Sequence, residues 1–110
     1  MLRIGIVGLG YVGLTLAIAA AARNIEVYGI EINPAIKKCL SEDRAHFFEP
    51  GLDELIAKHN RKNFNCVEEF PADKQFDAFV ITVGTPLKPG TREPDFDHIR
   101  AAIRNIGGGK

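Results

Sequence analysis

The sequence has no excess of charge of either sign. Fourteen Lys and Arg stand against fourteen Asp and Glu, a formal net charge of zero in 110 residues. That removes the broad basic footprint expected of a nucleic-acid or anionic-membrane binder. Cysteine is scarce too. Cys39 and Cys66 are too few for a disulfide framework or a four-cysteine metal site. They fit a reducing compartment, each acting as a small buried hydrophobe. The three histidines, His46, His59 and His98, lack the ligand spacing of a zinc site and suit surface or capping roles. No internal repeat and no low-complexity tract is present. Hydrophobic residues make up 45% and charged residues 25%, the balance of one small globular domain.

One segment is rich where the rest is sparse. From Ile4 to Ala22 only Thr15 is clearly polar, and the run follows Arg3 and ends in alanines. A signal peptide or a membrane span has this outline. The glycines argue otherwise. Gly5, Gly8, Gly10 and Gly13 fall within nine residues, and each would weaken a helix interior by nearly ~1 kcal/mol relative to Ala.

The same segment divides well into a strand, a turn and a helix. Leu2–Val7 is a short run rich in Ile and Val, as in a parallel strand buried on both faces. Tyr11–Arg23 reads as a helix, apolar nearly all round and therefore expected to be well buried. Asn24 ends it, and Ile25–Ile30 reads as a second strand. Asn33 and Pro34 have the form of an N-cap and first helical residue, opening a short helix to about Leu40. A further proline start is expected at Glu49-Pro50, followed by Leu52, Leu55, Ile56 and His59 at helical spacing. Phe64–Val67 and Asp77–Val83 read as strands, and Thr85–Pro94, with three prolines, as a loop. Asp95 would cap a last helix striped by Ile99, Ala102, Ile103 and Ile106, stopped by Gly107–Gly109. Alternating strands and helices predict an α/β doubly wound, Rossmann-like parallel sheet with helices on both faces and strand order 3-2-1-4.

The chemistry concentrates in Gly8-Leu9-Gly10-Tyr11-Val12-Gly13, a G-x-G-x-x-G between a strand and a helix. Gly8 permits the tight turn, Gly10 lets the backbone approach a pyrophosphate, and Gly13 allows close helix–strand packing. The helix start then offers free N–H groups and the positive end of a dipole to phosphates. Without a ligand the same residues would be a plain βα turn. Glu31 closes the second strand, 18 positions after Gly13 and 23 after Gly8, near the ~20 expected of a ribose-binding acid. Its charge would repel a 2′-phosphate, favouring NAD over NADP. Thr85, after the Asp77–Val83 strand, could reach the same end of the sheet. Asp95 and Asp97 suit a helix start better than acid–base catalysis.

RIGIVGLGYVGLTLA, VYGIEINP, FFEPGLDEL and FVITVGTPLKPGTREPDFDHIRAAI together resemble the amino-terminal NAD-binding domain of the nucleotide-sugar 6-dehydrogenases. This family includes the UDP-glucose, UDP-N-acetylmannosamine and GDP-mannose dehydrogenases. The resemblance runs from Leu2 to about Ile106. It implies a two-step, NAD-dependent oxidation of a sugar 6-hydroxyl to a carboxylate, through a cysteine-bound thiohemiacetal and thioester. Carried over by position, Gly8, Tyr11, Val12 and Gly13 would contact the dinucleotide, joining Gly10 of the glycine pattern, Glu31 would take the ribose-binding place usually held by Asp, and Thr85 would match a cofactor-contacting threonine. The family's basic residue five positions after the acid is Ile36 here, with Lys37 and Lys38 beside it.

The resemblance places the catalytic cysteine, the central helix and the sugar-nucleotide domain beyond residue 110. Residues 1–110 thus read as a partial dinucleotide-binding domain. It is expected to bind NAD but not to catalyse alone, and Cys39 and Cys66 inherit no role. The expected setting is the cytoplasm, with a UDP- or GDP-sugar bound elsewhere in the protein, no nucleic acid, no membrane, and room for a homo-oligomer. The outer side of the Asp77–Val83 strand would be an open apolar edge. Another NAD-dependent oxidoreductase, or a non-catalytic nucleotide-binding module, would carry the same glycine pattern.

Overall fold

The computed structural model describes residues 2–82. Four strands, β1 (Arg3–Val7), β2 (Glu26–Ile30), β3 (Phe64–Val67) and β4 (Ala78–Ile81), form one sheet in the order β3-β2-β1-β4. Every pairing is parallel, with Val7 opposite Ile30 on one side and Ile81 on the other. The expected order 3-2-1-4 is the observed one. The helices α1 (Tyr11–Ala22), α2 (Pro34–Ser41) and α3 (Leu52–His59) lie between the strands in sequence. The expected Asp95 helix, the Thr85–Pro94 loop, Val83 at the end of the last strand and Thr85 itself lie outside the described residues.

Side-chain alternation sorts the core into two layers. Ile6, Val27 and Phe64 pack with Leu14, Ala17 and Ile18 of α1 and with Leu52 and Ile56 of α3. On the opposite face Val7, Tyr28 and Ile30 pack with Phe70, joined by Phe76 and Phe79. That second layer is largely aromatic. Phe79 lies 5.1 Å from Phe70 and 5.0 Å from Phe76, centroid to centroid, within the range favoured by aromatic pairs.

Local signals place the element ends. Asn33 Oδ1 accepts the N–H of Ala35 at 2.9 Å, an N-cap with Pro34 following as expected. Asn24 ends α1 in the left-handed region at φ 66°, which Asn tolerates. Asn63 Nδ2 donates to the carbonyl of Ala21 at 2.6 Å and so fastens the end of α1 to the start of β3.

Three expectations are corrected. First, α1 is not buried all round. Leu14, Ala17, Ile18 and Ala21 face the sheet, whereas Tyr11, Val12, Leu16 and Ala19 are exposed, because the described residues cover only one side of the helix. Second, α3 does not open on Pro50. Gly51, at φ 80°, is its N-cap and Leu52 its first residue, so a left-handed turn separates the proline from the helix. Third, the cysteines are not buried hydrophobes: Cys39 is half-buried and Cys66 exposed. Cys66 sits on β3, an edge strand, where burial is incomplete. The Ile4–Ala22 run is β1, the glycine turn and α1, and no helix among the described residues is long and apolar enough to cross a membrane.

Candidate dinucleotide site

The carboxyl ends of β2, β1 and β4 lie side by side, and the glycine turn leaves from the middle one. Chain connections diverge on either side of β1 here, the topological position at which open parallel sheets bind ligands. Gly8 turns the chain at φ 95°, a conformation open to glycine and strained for residues with a Cβ. Its N–H donates to the carbonyl of Ile30 at 2.8 Å, continuing the β1–β2 ladder one residue beyond the strand.

Gly10 is the N-cap of α1, and no side chain caps the helix. The first helical bond runs from Leu14 N–H to Gly10 O at 2.9 Å. The N–H groups of Tyr11, Val12 and Gly13 precede it and have no acceptor within the helix. The first turn carries no acidic residue, so the helix holds no carboxylate of its own against the positive end of its dipole. A Cβ built on Gly10 would meet no atom within 4 Å among the described residues beyond its chain neighbours. Tyr11 and Val12 beside it are 60% and 65% exposed. An open space bordered by the backbone donors of the first helical turn fits a diphosphate.

Gly13 has a different reason to be glycine. A Cβ there would stand 1.9 Å from Gly8 O and 2.5 Å from Thr82 Oγ1. The helix and turn therefore touch backbone to backbone.

Glu31 is half-buried and folded back on the chain. Oε1 accepts the N–H of Leu9 at 2.7 Å and Oε2 accepts the N–H of Asn33 at 2.8 Å. The carboxylate thus fastens the glycine turn to the start of α2. A carboxylate offers about four acceptor directions, so two bonds to backbone leave capacity for the hydroxyls of a ribose. The reach of Glu beyond the usual Asp is taken up by these two bonds.

Position 36 holds no basic substitute. Ile36 packs against the main core. Lys37 turns toward the end of β3, where Nζ lies 3.2 Å from Glu68 Oε1.

Two features at this end of the sheet escaped sequence reasoning. Thr82 donates its hydroxyl to Gly8 O at 2.7 Å. Phe47, from the connection between α2 and α3, sets its ring 4.8 Å from that of Tyr11. A polar residue ending a β-rich run next to the Gly84-Thr85-Pro86 signal was the available hint of the first. Nothing local signalled the second.

A cavity of about 320 Å³ lies elsewhere, lined by Lys37, Leu40, Asn60, Arg61 and Cys66 among others. It belongs to the β3 edge and not to the glycine turn. Cys66 is exposed as a residue, yet desolvation pushes its thiol above the ordinary range, with Lys37 opposing. A thiol so shifted is less often the reactive thiolate. Among the described residues no three His, Cys, Asp or Glu side chains gather as a metal site.

Comparison with known proteins agrees with this fold. The chain is 36% identical over 104 residues to the UDP-N-acetyl-D-mannosamine dehydrogenase of Campylobacter jejuni, covering 94% of this chain and 25% of that one. It is 38% identical over 105 residues to the NDP-N-acetyl-D-galactosaminuronic acid dehydrogenase of Ralstonia nicotianae, covering 94% and 24%. Among solved structures, the UDP-N-acetyl-mannosamine dehydrogenase of Staphylococcus aureus superposes with a TM-score of 0.81 at 27% identity, covering 98% of this chain and 26% of that one. The GDP-mannose dehydrogenase of Pseudomonas aeruginosa, solved as a ternary complex, gives 0.79 at 30% identity, covering 96% and 24%. The chain spans about a quarter of the length of these relatives. Residues 2–109 match the family model described as the UDP-glucose/GDP-mannose dehydrogenase family, NAD binding domain, and the chain belongs to that family.

Proposed function

We propose that the Gly8–Gly13 turn and Glu31 hold NAD in this chain, as the cofactor half of a nucleotide-sugar 6-dehydrogenase. The backbone N–H groups from Gly10 onward would receive the pyrophosphate, and Tyr11 and Val12 would flank it. Glu31 would accept from the adenosine ribose diol while repelling a 2′-phosphate. Thr85, outside the described residues, remains a candidate contact by its place in the sequence. The observation that carries the reading is the open, uncapped start of α1, whose turn is tied through Leu9 to the carboxylate of Glu31.

NAD, when bound, supplies the hydride acceptor. The residues of this chain bind and orient it, and none is assigned a role at a reacting bond. The relatives are named as nucleotide-sugar dehydrogenases, and we assign an alcohol-to-carboxylate oxidation of a UDP- or GDP-sugar to the protein of which residues 1–110 form the dinucleotide-binding part. Two unpaired cysteines favour a reducing, cytoplasmic setting. The apolar outer face of α1 gives a further domain, or a second copy, a surface to cover.

Calorimetric titration tests the binding step. NAD should bind and NADP should bind more weakly. Glu31→Ala should weaken NAD by about one to two decades, since hydrogen bonds to a charged group contribute ~1.5–3 kcal/mol. Unchanged affinity would remove Glu31 from the site. NADH production from a panel of UDP- and GDP-sugars tests the reaction, and NAD binding by the complete protein without turnover on any of them would favour a non-catalytic module.

A further inference from the structure

Gly8 is held from both sides of β1. Its N–H reaches β2 through Ile30 O at 2.8 Å. Its carbonyl reaches the end of β4, where Thr82 Oγ1 donates at 2.7 Å, with Val7 O a weaker second acceptor at 3.3 Å. Thr82 is itself placed by the ladder, its N–H donating to Val7 O at 2.9 Å. The same oxygen of Gly8 lies 1.9 Å from the place a Cβ of Gly13 would occupy. Thr82, Gly8 and Gly13 therefore form one packed contact under the turn.

We propose that Thr82 is a positioning residue of the dinucleotide site, its hydroxyl fixing the peptide that aims the turn's N–H groups at the pyrophosphate. This role rests on the NAD reading above. Gly8 is in the left-handed region at φ 95°, and it leaves the strand there, so regular pairing no longer restrains its carbonyl. Glycine has the widest choice of conformations of any residue. A hydroxyl from the neighbouring strand supplies the missing restraint. Without it the Gly8–Leu9 peptide keeps only the bond from Leu9 N–H to Glu31 Oε1, and the start of α1 is aimed less firmly. Preorganised donors bind an anion at lower cost than donors that must first be ordered.

The test compares variants at this position. Thr82→Val keeps the shape and removes the hydroxyl, and Thr82→Ser keeps the hydroxyl and removes a methyl. NAD affinity is measured by calorimetry well below the thermal midpoint of each variant, so that only folded protein is titrated. Thr82→Val should raise the Kd for NAD about fivefold, the worth of one neutral hydrogen bond. Thr82→Ser should recover most of that loss. A merely structural role would lower the thermal midpoint of Thr82→Val and leave the affinity of folded protein unchanged, and that result overturns the proposal. If Thr82→Val does not fold, Thr82→Ala against Thr82→Ser repeats the comparison: weaker binding by Ala supports the role, and equal binding overturns it. An unsubstituted protein that fails to bind NAD overturns the cofactor reading and this role together. One that binds NAD, with Val and Ser variants matching it, overturns the role alone.

Discussion

Replacing Gly10 by alanine separates room for a ligand from room for the fold. Among the described residues the new methyl would meet no atom within 4 Å beyond its chain neighbours. Gly10 has φ −69° and ψ −161°, extended backbone that alanine adopts without strain. Restricting the unfolded chain then stabilises by roughly 0.4–1 kcal/mol. Against this, alanine is a poorer N-cap than glycine, a loss of several tenths to about 1 kcal/mol. The two effects nearly cancel, so thermal unfolding of the ligand-free protein should shift by only a few degrees, at about 4–8 °C per kcal/mol. Binding has no such compensation. In the proposed site the methyl would stand where the pyrophosphate approaches the helix start, and losing one hydrogen bond to a charged group would remove ~1.5–3 kcal/mol, about one to two decades in Kd. Calorimetric titration with NAD and a thermal scan of the same sample give both numbers. Unchanged NAD affinity with unchanged stability would refute the claim that the cofactor lies against this backbone.

Gly13→Ala should behave in the opposite way. Helix propensity alone would favour it by about 1 kcal/mol, but the new Cβ meets the backbone oxygen of Gly8 at 1.9 Å, and overpacking costs roughly 1–3 kcal/mol or more. A lower unfolding midpoint is expected, and a midpoint at or above that of the unsubstituted protein would contradict the packing described. Asn33→Ala removes the bond to Ala35 N–H and should cost about 1 kcal/mol in urea unfolding, a loss that Asn33→Asp largely avoids. The Asp43 carboxyl is held below its usual value, chiefly by a hydrogen bond from Asn60 and further by Arg61. Its folded pKa is the lower one, so its contribution to stability is complete above the unfolded value near ~3.9 and disappears as pH falls through the folded value. Asn60→Ala should flatten this acid-side dependence in unfolding curves taken between about pH 2 and 6.

What the sequence disclosed depended on how local the cause was. Each β-branched run became a strand because alternation and flanking glycine or proline act within a few residues. Asn33-Pro34 opened a helix because the cap bond spans two residues. The order β3-β2-β1-β4 followed from the likeness of alternating strands and helices to the first half of a doubly wound fold. The glycine turn was legible because three positions there have three separate steric reasons. The exposed face of α1 was not, since composition cannot tell what will cover a helix. Thr82 and Gly8 are 74 residues apart, and Tyr11 meets Phe47 across a full βα unit. Contacts of that kind arise from folding two distant segments together and leave no mark on neighbouring residues. The behaviour of Cys66 likewise follows from its strand lying at the sheet edge.

The most direct measurement is a titration of the isotope-labelled protein with NAD, followed through its backbone amide resonances. The account predicts that the largest shifts fall on Leu9 to Gly13 and on the residues flanking Glu31, with β3 and its cavity little affected. NAD shifts centred on Lys37, Arg61 and Cys66, with the glycine turn silent, would contradict it.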